Sequence, residues 1–248
     1  MKIALAQYQP KEEFKLNIDL ALRYIDEAGD AGATIICFNQ FFLGIVPNKY
    51  DRRLIAALAE AAIKNKIAIV TGNLIINKNN CAATSAYFNA NGEITNIQSE
   101  KTPACGFNAP SLFATGLGPM LALTELEAYD SQVDSLIQDI KPKVILMQSS
   151  AISLLEAAAI KKLAIDRSYS QAPLVLAVSM IGKFLNKDYL GCTMAVMQGQ
   201  ILAEAPDSAN ILLLADADTA NCANYQVLRK QVTIPELLQQ KLTHEAAH

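Results

Sequence analysis

The stretch Ala33-Thr34-Ile35-Ile36-Cys37-Phe38-Asn39-Gln40-Phe41-Phe42-Leu43-Gly44 decides how the chain is read. Its first six residues form an apolar run of strand length. Two amide side chains, three apolar residues and a glycine follow, which reads as a loop opening directly from a buried strand. Upstream, Ile3 to Tyr8 is a second apolar run, closed by Pro10. Between the two runs, Phe14, Ile18, Leu22 and Ile25 recur near helical spacing, and Gly29 and Gly32 mark the end of that segment. Strand, helix, strand at these lengths is a βαβ-like opening with both strands buried.

Downstream, Asn39 to Lys49 reads as a loop, and Asp51 can cap a helix over Arg52 to Asn65. Ile67 to Ile76 is a strand with a bulge expected at Gly72. Asn91-Gly92 marks a hairpin between Ala82 to Ala90 and Glu93 to Ser99. Pro103 to Pro119 holds three glycines and further prolines and reads as a long irregular segment, of the kind that often carries function. A strand over Met120 to Leu126 comes next. A helix from Asp130 to Ile140 stops at Pro142, and Val144 to Met147 is a strand. Ser149-Ser150 opens a helix to about Ser168. Strands are expected from Pro173 to Met180, Leu190 to Met197, Gln200 to Ala203 and Ile211 to Leu214. A last helix covers Tyr225 to Leu242, with a break near Pro235. No repeat and no Ser/Gly linker divides the 248 residues, so 1–248 reads as one domain.

Composition narrows the functional classes. A hydrophobic fraction of 52% with 18% charged residues describes a globular chain with a large core. The net charge of -3, with no Lys/Arg block, argues against a nucleic-acid surface. No run approaches the roughly 20 apolar residues of a spanning helix, and the N-terminal apolar run is too short for a signal peptide. No membrane partner and a cytoplasmic location are therefore expected. The five cysteines, at 37, 81, 105, 192 and 222, show no Cys-x-x-Cys pair and read as reduced thiols. Histidine occurs only at 244 and 248, which leaves little room for a His-based triad or a His-ligated zinc. No metal or cofactor is expected.

Three stretches taken together, Phe38 to Gly44, Glu100-Lys101-Thr102-Pro103 and Leu126-Glu127-Ala128-Tyr129-Asp130, resemble the nitrilase superfamily of carbon–nitrogen hydrolases. That family carries Phe-Pro-Glu, an apolar pair and Gly after its second strand, a mid-chain Lys, and Cys-Tyr-Asp or Cys-Tyr-Glu after a later strand. Gly191-Cys192-Thr193 is similar to the family's Gly-x-Ser, and Gln198-Gly199-Gln200-Ile201-Leu202 to its turn-Gly-x-Ile-Leu pair. The resemblance covers nearly the whole chain. It implies a mixed α/β fold, a four-layer α-β-β-α sandwich with two sheets face to face. It also implies pairing of subunits through helices near the Glu and Cys loops, hence a homodimer or higher.

The resemblance further implies roles at three positions. In the family the Cys thiolate attacks the substrate carbon, the Glu moves the proton, and the Lys stabilises the oxyanion. Here the Lys is retained as Lys101, but the Glu position is Gln40 and the Cys position is Ala128. Removing a covalent nucleophile costs on the order of 10⁴ to 10⁶ in rate, so turnover by this route is not expected. Glu-to-Gln and Cys-to-Ala are also substitutions an experimenter would choose to trap a substrate. Asn39 in place of the family's Pro, and Glu127 before Ala128, fit natural divergence better. A register three residues earlier, placing Glu125-Leu126-Glu127 on Cys-Tyr-Glu, supplies no Cys either.

Lys101 reads either as a solvated surface charge or as part of the old pocket. If buried there it needs an anion: Glu127, Asp130 or a ligand carboxylate. Asp130 is equally a helix N-cap. Asn39, Phe42, Glu125 and Tyr129 complete the candidate pocket, with a small amide or carboxylate as the ligand. An active amidase-type hydrolase with a relocated nucleophile, Cys105, is the competing reading; a buried or incidental thiol at that position is the plainer one.

Overall fold

The computed structural model describes residues 1–46, 52–72, 75–76, 85–95, 111–171 and 174–217. In chain order the elements are β1 (Lys2–Gln7), α1 (Phe14–Asp30), β2 (Ile35–Phe38), β3 (Ile45–Val46), α2 (Arg52–Asn65), β4 (Ala68–Val70), β5 (Ile75–Ile76), β6 (Tyr87–Phe88), β7 (Ile94–Thr95), β8 (Ser111–Thr115) and β9 (Gly118–Thr124). Then come α3 (Glu125–Ala128), α4 (Ser131–Ile140), β10 (Val144–Ser149), α5 (Leu154–Gln171), β11 (Leu174–Ser179), β12 (Gly182–Phe184), β13 (Lys187–Tyr189), β14 (Met194–Met197), β15 (Gln200–Glu204) and β16 (Ile211–Asp216).

Two six-stranded sheets carry the fold, in the orders β16-β1-β2-β4-β6-β7 and β15-β14-β11-β10-β9-β8. β1, β2 and β4 run parallel, as the βαβ reading predicts, and β9, β10 and β11 form a second parallel set. Alternation along each strand divides the interior into three layers. Ile3, Leu5, Ile35 and Cys37 meet Met120, Ala122, Val144, Leu146, Leu174 and Leu176 between the sheets. Ala4, Ala6, Ile36 and Phe38 turn the other way, onto Leu20, Tyr24 and Ile25 of α1 and Leu54 and Leu58 of α2. Leu121, Leu123, Ile145 and Met147 pack against Val133 and Ile137 of α4 and Ile160 and Ala164 of α5. This is the expected α-β-β-α sandwich.

Most boundaries follow the sequence reading closely. Four differ in ways that matter. Ser111–Thr115, placed within the irregular stretch, pairs antiparallel with β9 as an edge strand. β9 ends at Thr124 rather than Leu126, because Thr124-Glu125-Leu126-Glu127 is a capping sequence. The Glu127 carboxylate accepts the Thr124 N–H at 2.7 Å, and α3 begins at once. β10 runs on through Ser149, and α5 starts only at Leu154. There the Ser153 hydroxyl accepts the Glu156 N–H at 3.2 Å and the Glu156 carboxylate accepts the Ile152 N–H at 2.7 Å. Gly72 lies beyond the end of β4, and a Cβ there would stand 1.8 Å from the Asn39 carbonyl oxygen. Close backbone approach, not a bulge, requires the glycine. The readings of Asp51 as a cap, of Lys101 and Cys105, and of the final helix lie outside the described residues.

Candidate functional site

The carboxyl ends of the two parallel sets meet at one edge of the sandwich, the place where open α/β sheets bind ligands. β2 delivers Phe38-Asn39-Gln40 to this edge, and the chain past β4 delivers Thr71-Gly72. β9 ends there in Thr124, and β10 in Gln148 and Ser149; Thr124 and Gln148 are register partners.

The turn after β2 is held from several sides. The Asn39 side-chain oxygen accepts the Phe41 N–H at 3.0 Å, and the Asn39 carbonyl accepts the Phe42 N–H at 3.3 Å. The Tyr8 hydroxyl donates to the Phe42 carbonyl at 2.8 Å; burial, reinforced by Tyr24, pushes its pKa up and keeps it a neutral donor. Asn17, fully buried on α1, donates to the Leu43 carbonyl at 3.1 Å. Gln148 joins the sheets: its amide nitrogen donates to the Phe38 carbonyl at 3.1 Å and the Thr71 carbonyl at 2.7 Å, and its oxygen accepts the Ser85 hydroxyl at 3.2 Å.

Two buried polar atoms at this corner have no hydrogen-bond partner among the described residues. They are the Asn39 side-chain nitrogen and the Gln40 side-chain oxygen, a donor and an acceptor on consecutive residues. The described groups on Asn39, Gln40, Thr71, Thr124 and Gln148 are amides, hydroxyls and backbone carbonyls; the Glu127 carboxylate is turned to the Thr124 N–H, and the Cys192 thiol lies 4.0 Å from the Ser149 hydroxyl. Cys37, one residue before Phe38, faces the inter-sheet core, and burial pushes its thiol pKa far up. The Asn39 and Gln40 amides can hydrogen-bond a neutral ligand, and neither can serve as a general base or a nucleophilic thiolate. Among the described residues, no group of three or more His, Cys, Asp or Glu could hold a metal.

The sequence-derived candidates separate in space. Asn39 and Gln40 stand at this corner. Phe42 is wholly buried in the helix-facing core of the first sheet, its ring 4.9 Å from that of Phe38. Ala128 packs into the helix-facing core of the second sheet, 1% exposed, and its carbonyl accepts the Arg167 guanidinium at 2.7 Å. Glu127 is buried, with a carboxylate oxygen turned back to Thr124. Glu125 lies in α3, and Tyr129 is 52% exposed. Asp130 directly precedes α4, its carbonyl accepting the Val133 N–H at 3.1 Å. Lys101 and Cys105 lie outside the described residues.

Thr124 was not singled out from the sequence. Met120 and Ala122 face the inter-sheet core and Leu121 and Leu123 the helices, so alternation turns Thr124 to the inner face at its open end. It is half-buried, and its hydroxyl makes no hydrogen bond among the described residues. The signal was present: an apolar run, Met120 to Leu123, stopped by Thr-x-x-Glu.

The family profile for carbon-nitrogen hydrolases matches residues 2–107. No curated protein matches the chain in sequence. Solved structures share its fold at low identity. One is a glutamate-to-glutamine mutant of the amidase from Nesterenkonia sp. AN1, showing Michael addition of acrylamide at its active-site cysteine. It has 17% identity and a TM-score of 0.76 over 88% of this chain and 93% of that one. A glutamate-to-glutamine, cysteine-to-alanine double mutant of the same amidase, in complex with acrylamide, has 17% identity and a TM-score of 0.72 over 86% and 88%. Saccharomyces cerevisiae Nit3, of branch 10 of the nitrilase superfamily, has 18% identity and a TM-score of 0.74 over 87% and 89%. The carbon–nitrogen hydrolase profile thus lies across the first parallel strands, and the chain as a whole shares the four-layer fold of these nitrilase-superfamily structures.

Proposed function

We propose that the chain is a pseudoenzyme of this superfamily that binds a small neutral amide at the corner formed by Asn39, Gln40 and Thr124, and does not hydrolyse it by a thiol route. The observation that carries the reading is the adjacent pair of buried, unpartnered atoms, the Asn39 nitrogen and the Gln40 oxygen. A primary carboxamide offers one acceptor and one donor and complements that pair. A carboxylate offers only acceptors and would face the Gln40 oxygen without a proton between them. Leaving both protein atoms unsatisfied costs about 1–3 kcal/mol each, which a matched ligand recovers. The amidase double mutant, with glutamine and alanine substituted into it, is in complex with acrylamide. That precedent supports retention of amide binding after glutamate and cysteine are lost.

The test is thermal unfolding with butyramide, acrylamide and, as control, butyrate, alongside ammonia release. The two amides raise the melting temperature, since a ligand that binds only the folded state stabilises it; butyrate does not, and no ammonia appears above the blank. Ammonia release abolished by Cys105→Ser would overturn the reading in favour of a relocated nucleophile. In the proposed setting the protein is a cytoplasmic homodimer or higher oligomer, a regulatory or structural partner, which sedimentation velocity checks.

A further inference from the structure

Gln148 is 1% exposed, yet its side-chain amide is fully engaged, both donors and the acceptor being used across the gap between the sheets. Its two acceptors are not arbitrary carbonyls. The Phe38 carbonyl belongs to the peptide that carries Asn39, and the Thr71 carbonyl to the peptide that carries Gly72. Gly72 also packs against the next peptide of the Asn39 loop, since a Cβ on it would run into the Asn39 carbonyl oxygen. We propose that Gln148 is the positioning residue of the amide site: its side chain clamps both peptides to the second sheet and so sets where the Asn39 and Gln40 side chains stand relative to Thr124, its own register partner.

A second buried amide supplies the comparison. Gln7, at the end of β1, donates to the Pro206 and Ala209 carbonyls at 2.6 and 3.0 Å and accepts the Thr193 N–H at 3.3 Å. Gly191 passes so close that a Cβ would lie 2.5 Å from the Gln7 side-chain oxygen. It too ties the sheets together, but by the start of β14 and the β15–β16 connection, without touching the peptides that carry Asn39 and Gly72. If amide staples only hold the sandwich together, losing either has the same effect everywhere. If Gln148 positions the site, the two losses are felt in different places.

The experiment compares Gln148→Met and Gln7→Met, near-isosteric changes that remove the hydrogen bonds. It measures amide hydrogen exchange and the melting-temperature response to butyramide. Gln148→Met is expected to speed exchange at Phe41 and Phe42 at least tenfold and to remove the butyramide response. Gln7→Met should speed exchange at Thr193 and leave Phe41, Phe42 and the response as in the parent chain. Equal acceleration at Phe41 and Phe42 in both variants, or none in Gln148→Met, overturns the proposal.

This inference rests on the amide-binding reading only for its second readout. If the parent protein shows no butyramide response, that reading falls, while the exchange comparison still decides the role of Gln148. Should Gln148→Met not fold, Gln148→Glu takes its place. As a neutral acid it keeps one donor, and as an anion it faces two carbonyl oxygens. Protection of Phe41 and Phe42, corrected for intrinsic rates, then falls with rising pH while the parent stays flat. A flat profile in Gln148→Glu overturns the proposal.

Discussion

At the scale of single residues, Asn39 and Gln40 stand at the corner between the sheets, and Ala128 packs into the helix-facing core of the second sheet. Asn39 and Gln40 were legible because they follow an unbroken apolar run whose end could hardly lie elsewhere. The resemblance assigns Ala128 through its neighbours, Tyr129 and Asp130, whereas the local structure is decided at Thr124, where strand and helix compete. A Thr-x-x-Glu sequence satisfies its own backbone donors and starts a helix even after four strand-forming residues. That start carries Ala128 over the top of the sheet and down into the layer beneath α5, where Arg167 spans the Ala128 carbonyl and the Asp134 carboxylate. Cysteine scanning separates the positions. In Thr124→Cys the new thiol, half-exposed at a helix start, should be alkylated by acrylamide at least ten times faster than the new thiol of Ala128→Cys, with peptide mapping to identify the site. Faster reaction of the thiol in Ala128→Cys would restore the register in which Ala128 faces the site.

At the scale of elements, helix and strand periods were read well where one face is buried, and poorly where a cap or an edge decides. α1 and α2 show the favourable case. Their apolar stripes meet the first sheet, and their polar faces meet each other through Asp26, whose carboxylate accepts from Lys64 at 2.9 Å and from the Asn65 side-chain amide at 2.7 Å. Partial burial acts to raise the Asp26 pKa, but the bonds from Lys64 and Asn65 and the Lys64 charge outweigh it and leave the carboxyl below its ordinary value. A carboxyl lowered by folding contributes stability that is present above its unfolded pKa of about 3.9 and is lost as pH falls through the folded value. Asp26→Asn should therefore unfold more easily than the parent at pH 7, and the difference should shrink as the pH approaches 3. Urea titrations at both pH values check this. The pair is substantially solvated, so added salt should shrink the pH 7 difference as well. An unchanged difference at pH 3 would mean that Asp26 acts through its hydrogen-bond shape and not its charge. β8 is the unfavourable case: Leu112 and Ala114 are exposed and Phe113 is buried, so its alternation is short and easily read as loop.

At the scale of the whole molecule, the four-layer arrangement was implied by resemblance and not by the strand order itself. Mixed parallel and antiparallel pairings with long crossovers leave many sheet orders open to a single sequence. What the sequence does contain is the reason the layers cohere: the central strands are apolar on both faces, as strands covered on both sides must be. β1 is the clearest example, flanked by β2 and β16, with Leu5 opposite both Cys37 and Leu213 in the inter-sheet core. Cys37 is therefore a reporter built into the centre of the molecule. It is 0% exposed, and burial raises its thiol pKa, so labelling requires the sheets to part. Truncating its neighbour, Leu5→Ala, removes a buried side chain at a cost of about 2–5 kcal/mol. If Cys37 is reached only through global unfolding, that loss should appear undiminished in its labelling rate in dilute buffer, as an acceleration of roughly 30- to 4,000-fold. The same figure should come from the shift in the denaturation midpoint. Labelling that accelerates far less than the equilibrium shift requires would mean that Cys37 is exposed by a local opening, and that the two sheets separate without the rest of the chain unfolding. Agreement between the two would identify the inter-sheet core as the last structure to break, and so as the frame that holds the amide corner in place.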